Sequence, residues 1–396
     1  AIKPVEPAVY QAFLLDRQGV GPVGGARYEG VDGLMRVIEQ LEGIYLNASV
    51  WESSVFPARV RDYQPSMLDE LLASGDVVWV GSKINGSNAK EAGGIAFHPA
   101  DSRLLTKPGE QSQNNAYSAG TMTVPETILA ALSNGGAFHA RQLSTAAKAI
   151  WQEHAEVNVN PETGEIILPA WGESQFEEAL WSLVWQGKVT NSSFAPVRAL
   201  TQGTVSVRAP RTAARRRVRI HASTPVTLGG LWSAVDSSQT SPMAIPDQTD
   251  DTAGIEEYDI ALIESLLDRY GVIAAPLIDK EQVAGGFSGL YPVLKRMEEH
   301  GNLVRGMFVK GFGAAQFAGR DTVDALRGDD EARSQSCVAL DVTDPANLTG
   351  SAITWPEQHH MKPARRAESV IVLDHGMPVL FAVPKSHRIV SFTDDE

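Results

Sequence analysis

Apolar positions recur along this chain in one phrase written three times. Leu68, Leu71, Gly75 and Val77 share their spacing with Leu180, Leu183, Gly187 and Val189, and again with Leu294, Met297, Gly301 and Leu303. Apolar residues three apart predict the buried face of a helix, the glycine its left-handed end, and the residues beyond it a strand. The interval from Gly75 to Gly187 to Gly301 is domain spacing, well beyond the roughly 20 to 50 residues of a solenoid repeat. Two further helical runs precede each copy: 33–41 and 48–55 with a turn at Gly43, 125–132 and 138–143, and 260–270 and 278–283. Helix, turn, helix, helix, hairpin is the order of a winged-helix domain, whose last helix is usually the recognition helix.

After Arg327 the texture changes to short β-branched runs at 337–340, 369–374, 377–383 and 388–392, with Asp374-His375-Gly376 placed as a hairpin turn. The fold class expected is α+β, tandem winged-helix modules followed by a β-rich, barrel-like unit. The divisions are a leading segment 1–30, modules over 31–118, 119–198 and 255–330, a basic then acidic linker over 199–254, and the β-rich unit over 331–396, which reads as incomplete.

At 396 residues and 43% hydrophobic the chain has material for two to four domains. Its formal net charge of −14 argues against a polyanionic partner unless cations are gathered locally. They are gathered: from Arg198 to Arg219 there are seven arginines and no acid, whereas 247–259 holds six acids and no base. Arg208, Arg211, Arg215, Arg216, Arg217 and Arg219 are therefore the candidate DNA-binding residues. The single cysteine, Cys337, excludes an internal disulfide and a thiolate metal cluster. No apolar run approaches the roughly 18 residues of a membrane span and no secretory signal opens the chain, so a cytoplasmic protein without a membrane partner is expected. The start at Ala1 suggests a fragment of something longer.

Enzymatic motifs are sparse, and no catalytic, cofactor or metal residue is assigned. The phrase 307–316 imitates a dinucleotide loop but has Gln316 in place of the third glycine, which favours a plain joint. Gly285-Gly286-Phe287-Ser288-Gly289 misses the nucleophile-elbow spacing and reads as a tight turn. His359 and His360 lack a third ligand. Asp341 and Asp344 stand among turn formers. With no Walker A sequence, the chain alone is not expected to hydrolyse ATP.

Several phrases together resemble the C-terminal half of the large helicase-related (Lhr) family of bacterial superfamily-2 ATP-dependent DNA helicases: residues 13–20, 57–63, 68–81, 180–191, 269–272, 285–294, 311–318 and 344–347. The resemblance implies a DNA-repair translocase whose motor, with its ATP and Mg²⁺, lies upstream in the same polypeptide. It also implies that this half engages DNA and assembles homo-oligomers. The same half is similar to AlkZ-type winged-helix DNA glycosylases, which makes base excision an alternative. Their Gln-x-Gln pair has only Gln111-Ser112-Gln113, in a polar loop, and a solitary Gln18 to match it. A stand-alone winged-helix transcription regulator is a third reading. Aromatic residues including Trp181, Trp185, Phe194, Phe308 and Phe312 exceed what three small cores require, and are expected to form a self-association surface.

Overall fold

The computed structural model describes residues 3–21, 27–83, 93–105, 122–154, 158–159, 166–167, 171–201, 225–235, 251–328, 337–357 and 362–393. Helix α1 (Pro7–Arg17) opens the chain. In the first module, strand β1 (Tyr28–Glu29) leads into α2 (Gly30–Gln40), then β2 (Leu46–Asn47) and α3 (Ala48–Val50), which continues as a π-helical turn over Trp51–Val55. Strand β3 (Val60–Arg61) runs parallel to β1. The recognition helix α4 (Pro65–Ser74) follows, then a hairpin of β4 (Val77–Ser82) and β5 (Gly94–Pro99), and the sheet order is β2-β5-β4.

The second module repeats this order with α5 (Val124–Leu132), a bridge at Phe138, α6 (Ala140–His154) and α7 (Glu173–Val184). A small hairpin of β6 (Asn158–Val159) and β7 (Ile166–Ile167) stands between α6 and α7. Its wing differs from the expected plan. Strand β8 (Val189–Asn191) is followed by α8 (Ala195–Thr201), and β9 (Trp232–Ala234) returns antiparallel to β8. The β8–β9 pair joins chain positions on either side of the basic stretch, most of which (202–224) lies outside the described residues.

The third module is the most regular: α9 (Asp251–Tyr270), β10 (Val272–Ile273), α10 (Ala275–Glu281), α11 (Gly286–Glu299) and the wing strands β11 (Val304–Gly306) and β12 (Gln316–Ala318), in sheet order β10-β12-β11. Helix α12 (Arg320–Arg327) ends it. Strands β13 (Val338–Asp341), β14 (Val370–Asp374), β15 (Met377–Val383) and β16 (Arg388–Ser391) then form an antiparallel meander in chain order. Among the described residues this sheet is open, so the β-rich unit is no closed barrel. The β14–β15 turn has His375 and Gly376 at φ 51° and 77°, the left-handed pair of a tight hairpin.

Three cores result. One is shared by the first two modules and runs from Leu34 to Trp232. Thr190 Oγ1 donates to the Trp79 carbonyl at 2.7 Å, and Gly81 lets β4 approach so closely that a Cβ there would lie 2.6 Å from the Val184 carbonyl oxygen. The second core joins Tyr10, Phe13 and Leu14 of α1 to the third module, and the third joins Leu15 and Val20 to the β sheet. The leading segment therefore carries a helix that is a shared wall between two units. The surplus of aromatics is also core: Trp181, Trp185, Phe194, Phe308 and Phe312 are all buried within the chain. They do not form a self-association surface, because fusing modules in pairs consumes more aromatic area than separate cores would.

The repeated glycines behave as the pattern requires. Gly75, Gly187 and Gly301 have φ of 83°, 72° and 80°, each just beyond its recognition helix. A Cβ at Gly75 would meet nothing within 4 Å, whereas at Gly187 it would lie 3.2 Å from Val80 Cγ1. Left-handed backbone costs an L residue about 1 to 2 kcal/mol, and at Gly187 the contact adds to that. Urea denaturation is expected to show Gly75→Ala destabilising by about 1 kcal/mol and Gly187→Val by clearly more; equal or negligible losses would contradict this account.

Candidate nucleic-acid interface

In a winged helix the third helix and the wing are the surfaces that ordinarily meet DNA, so each is followed here in turn. On α4 the exposed residues are Pro65, Ser66, Glu70, Ala73 and Ser74. Its start is occupied from within the chain: Arg198 on α8 clamps Asp69 with two bonds of 2.9 Å, holds Glu52 at 2.7 and 2.9 Å, and donates to the Pro65 carbonyl at 3.1 Å. Arg198 also lies 5.6 Å over the Phe194 ring. Those two carboxylates keep its guanidinium charged against the opposing effect of burial. Arg198 is the first of the seven arginines, and it serves as an internal tie.

On α7 the exposed residues are Glu173, Ser174, Gln175 and Glu178, and Glu177 accepts from Thr227 Oγ1 of its own wing at 3.0 Å. Neither α4 nor α7 carries a lysine or arginine. Helix α11 is different: Ser288, Pro292, Lys295, Arg296 and Glu299 form one exposed stripe. Lys295 pairs with Glu299 at 3.6 Å, Arg296 with Glu256 at 2.8 Å, and Arg305 on β11 with Glu298 at 3.6 Å. The tight turn Gly285-Gly286, left-handed at both residues, starts this helix. The glycine-rich phrase after β11 is the wing loop. There the buried Gln316 accepts from the Phe308 and Val309 amides at 2.9 Å and donates to the Val309 and Gly313 carbonyls at 2.8 Å.

The candidate residues Arg208, Arg211, Arg215, Arg216, Arg217 and Arg219 lie outside the described residues, as do His359, His360, Gln111 and Gln113. Lys295, Arg296 and Arg305 were not singled out in the sequence. Their signal was available: cations on the polar side of the third copy's helix, absent from the other two. Among the described residues, no cluster of three His, Cys, Asp or Glu is placed to hold a metal ion, and no helix is long and apolar enough to cross a membrane.

A second polar assembly lies inside, where α1, the first module, the third module and the β unit meet. Arg59 and Asp344 form a two-pronged ion pair at 2.9 and 2.8 Å with neither side chain exposed. Arg59 also donates to Gln18 Oε1 at 3.1 Å, and Gln18 donates to the Arg269 carbonyl at 3.2 Å. Arg269 continues to the Gln40 carbonyl at 3.1 Å and to Glu281 at 2.8 Å, and Tyr270 donates to the other Glu281 oxygen. Asp344 also accepts the Ala346 amide at 2.8 Å, and Asp341 accepts the Thr343 amide, so both keep the turn chemistry of their sequence.

Lys280 donates to the Tyr270 hydroxyl at 3.0 Å. Burial brings its amine down to about 8, with Arg365 and Arg269 acting the same way and Glu281 opposing. Burial raises the Glu281 carboxyl, yet Arg269, Lys280 and the Tyr270 hydroxyl outweigh it and hold it low. This arrangement is a lock between domains. Most of its groups meet one another, with the buried Arg59 Nε left without a hydrogen-bond partner, and Arg59, Gln18 and Asp344 are at zero exposure.

Comparison with known proteins agrees with the winged-helix reading. Two family models described as large helicase-related protein, winged-helix domain, match residues 5–100 and 253–338. The chain is 36% identical over 427 residues to "Lhr helicase/uracil glycosylase" of Escherichia coli (strain K12), covering all of this chain and 25% of that protein. It is 38% identical over 412 residues to "Lhr helicase/ probable uracil glycosylase" of Mycolicibacterium smegmatis (strain ATCC 700084 / mc(2)155), covering all of this chain and 24% of that protein. The chain thus spans about a quarter of the length of these relatives. The solved structure of Streptomyces sahachiroi DNA glycosylase AlkZ is similar in fold, with a TM-score of 0.55 at 14% identity over all of this chain and 92% of that one.

Two outcomes test the lock. Removing one partner of a buried ion pair strands the other, at about 3 to 5 kcal/mol. Arg59→Met alone should therefore lower stability steeply in urea, while Arg59→Met with Asp344→Leu should recover most of the loss. Lys280 tests the sign of a depressed amine. Between about 8 and its ordinary 10.5 the unfolded chain binds the proton that the folded chain has released, so this group makes stability rise with pH. Lys280→Met should raise Tm at pH 7.5 and reduce the gain in Tm between pH 7.5 and 9.5. An unchanged pH profile would show that the amine is solvated.

Proposed function

Because the chain belongs to the large helicase-related family, of whose proteins it is a C-terminal winged-helix part, we propose that it is the non-motor, DNA-engaging region of an ATP-dependent DNA helicase acting in DNA repair. The observation that carries this reading is the third winged helix, regular in element order and with its recognition helix open to solvent. ATP and Mg²⁺ belong to the motor portion of such a protein. Self-association rests on the family resemblance alone, since the aromatics expected to mediate it are core.

Base excision is the second reading, favoured by the names of both relatives and by the AlkZ-like fold. Gln18 does not supply its water-positioning group: it is buried, accepts from Arg59 and donates to the Arg269 carbonyl. Release of uracil from a duplex containing one deoxyuridine, assayed with the chain itself, tests this reading directly. A stand-alone transcription regulator fits neither relative.

DNA engagement by an acidic chain depends on local cations and is expected to weaken steeply with salt, since each phosphate contact adds about 0.9 to the slope of log affinity against log salt. Replacing Arg215, Arg216 and Arg217 by alanine should flatten that slope by up to about 3 for labelled duplex titrated between roughly 50 and 200 mM salt. If affinity and slope are both unchanged, the arginine segment is a solvated connection.

A further inference from the structure

Three winged helices offer three recognition helices and three wings, and the fold has already used most of them. The first module's wing is packed on the second module: β4 contacts β8, and Gly81 lies against Val184 and Trp185. The start of α4 is held by Arg198, and Glu177 of α7 is held by its own wing. The third wing is strapped by the leading segment. The Val5 amide donates to the Phe308 carbonyl at 2.8 Å, the Lys310 amide donates to the Val5 carbonyl at 2.9 Å, and the Lys310 and Glu6 side chains pair. Tyr10 then seals the loop edge-on against Phe312, with ring centroids 5.5 Å apart.

Charge sorts the helices in the same way. The solvent side of α4 presents Glu70, and that of α7 presents Glu173 and Glu178, with no cation on either helix. A phosphate backbone brought to those faces meets like charge. On α11, Lys295 and Arg296 stand one helical turn beyond Pro292 and two beyond Ser288, which are uncharged and short enough for close approach. Arg305 flanks them from the wing strand, held by the Tyr291 hydroxyl at 3.1 Å. The ion pairs of these cations are exposed ones: Lys295 is 58% and Arg296 49% exposed. Such pairs are worth little, and a phosphate oxygen can replace the carboxylate at small cost.

We propose that α11 is the DNA-reading helix of this chain, meeting duplex DNA through Ser288, Pro292, Lys295 and Arg296 together with Arg305, and that α4 and α7 are scaffold. The first two modules kept the winged-helix shape, but their wings pack into the shared core, the start of α4 is tied by Arg198, and the solvent sides of α4 and α7 are acidic. The third kept its helix outward and gave up only the wing tip. This rests on the reading of the chain as DNA-engaging, and it names the surface and the partner.

The test measures fluorescence anisotropy of a labelled duplex of about 20 base pairs with the whole 396-residue chain across a salt series, long enough to cover a module and its flanks. Lys295→Gln with Arg296→Gln should weaken binding at least tenfold and reduce the salt slope by about 2, at unchanged Tm. Glu70→Gln and Glu178→Gln should each change affinity less than twofold. If the unsubstituted chain binds and the Lys295/Arg296 variant binds equally well, the assignment of α11 is overturned while DNA engagement stands. A response to Glu70→Gln or Glu178→Gln as large as that of the α11 variant also overturns it, because those helices would then face the DNA. If the unsubstituted chain shows no salt-dependent binding, the functional reading fails and takes the assignment with it.

Discussion

Two charges are held out of water at one point in this molecule, and the arrangement of its parts follows from how they are compensated. Moving a guanidinium and a carboxylate from solvent into a protein costs several kcal/mol per ion, and close pairing offsets that only when the remaining donors and acceptors are also met. For Arg59 and Asp344 those partners come from four places: the Val55 carbonyl in the first module, Gln18 after α1, the Ala346 amide in the β unit and, through Gln18, the third module. The pair is well formed only when all four are docked. Partial docking leaves a buried charge unmatched, so intermediate arrangements are penalised and one arrangement is selected.

That selection explains why α1 matters out of proportion to its length. Its apolar face divides between two cores, Tyr10 and Leu14 on one side and Leu15 on the other. Gln11 reaches the Ala346 and Leu348 backbone of the β unit, and Arg17 reaches the Leu267 and Asp268 carbonyls at the end of α9. Arg36 and Gln40 of α2 meet the same α9 end at Asp268. Helix α9 thus presents its terminal carbonyls to donors from two other units, which satisfies groups that its own hydrogen bonding leaves open and favours positive charge at its negative end. Domain docking here is helix-end chemistry as much as apolar burial.

Local rules made much of the fold legible. A glycine ending a helix must satisfy its own backbone wherever the helix packs, so the three phrases at Gly75, Gly187 and Gly301 could be read as three equivalent joints, and the hairpin at His375-Gly376 could be read likewise. What could not be read is what depends on partners far along the chain. Nothing near Gln18 announces Arg59, nor near Arg59 announces Asp344, which is 285 positions away. The return of β9 to β8 was hidden because three residues of strand give almost no period and the intervening basic stretch has the composition of a linker. The aromatics misled for a related reason: composition shows how much apolar area must be covered and leaves open whether a neighbouring module or another molecule covers it.

The same distinction applies to the candidate DNA surface. A run of arginines is conspicuous in sequence because it is local, whereas a working contact helix in an acidic chain is visible only by contrast with its siblings. Arg198 belongs to the run, yet its charge is matched by Glu52 and Asp69. Lys295 and Arg296 each face an acid, Glu299 and Glu256, yet those partners are solvent-exposed and replaceable. Availability of a cation is set by the strength of its existing contract with carboxylates, and that strength depends on burial and on the number of bonds made. The three modules therefore share a fold while differing in which surface remains free to act.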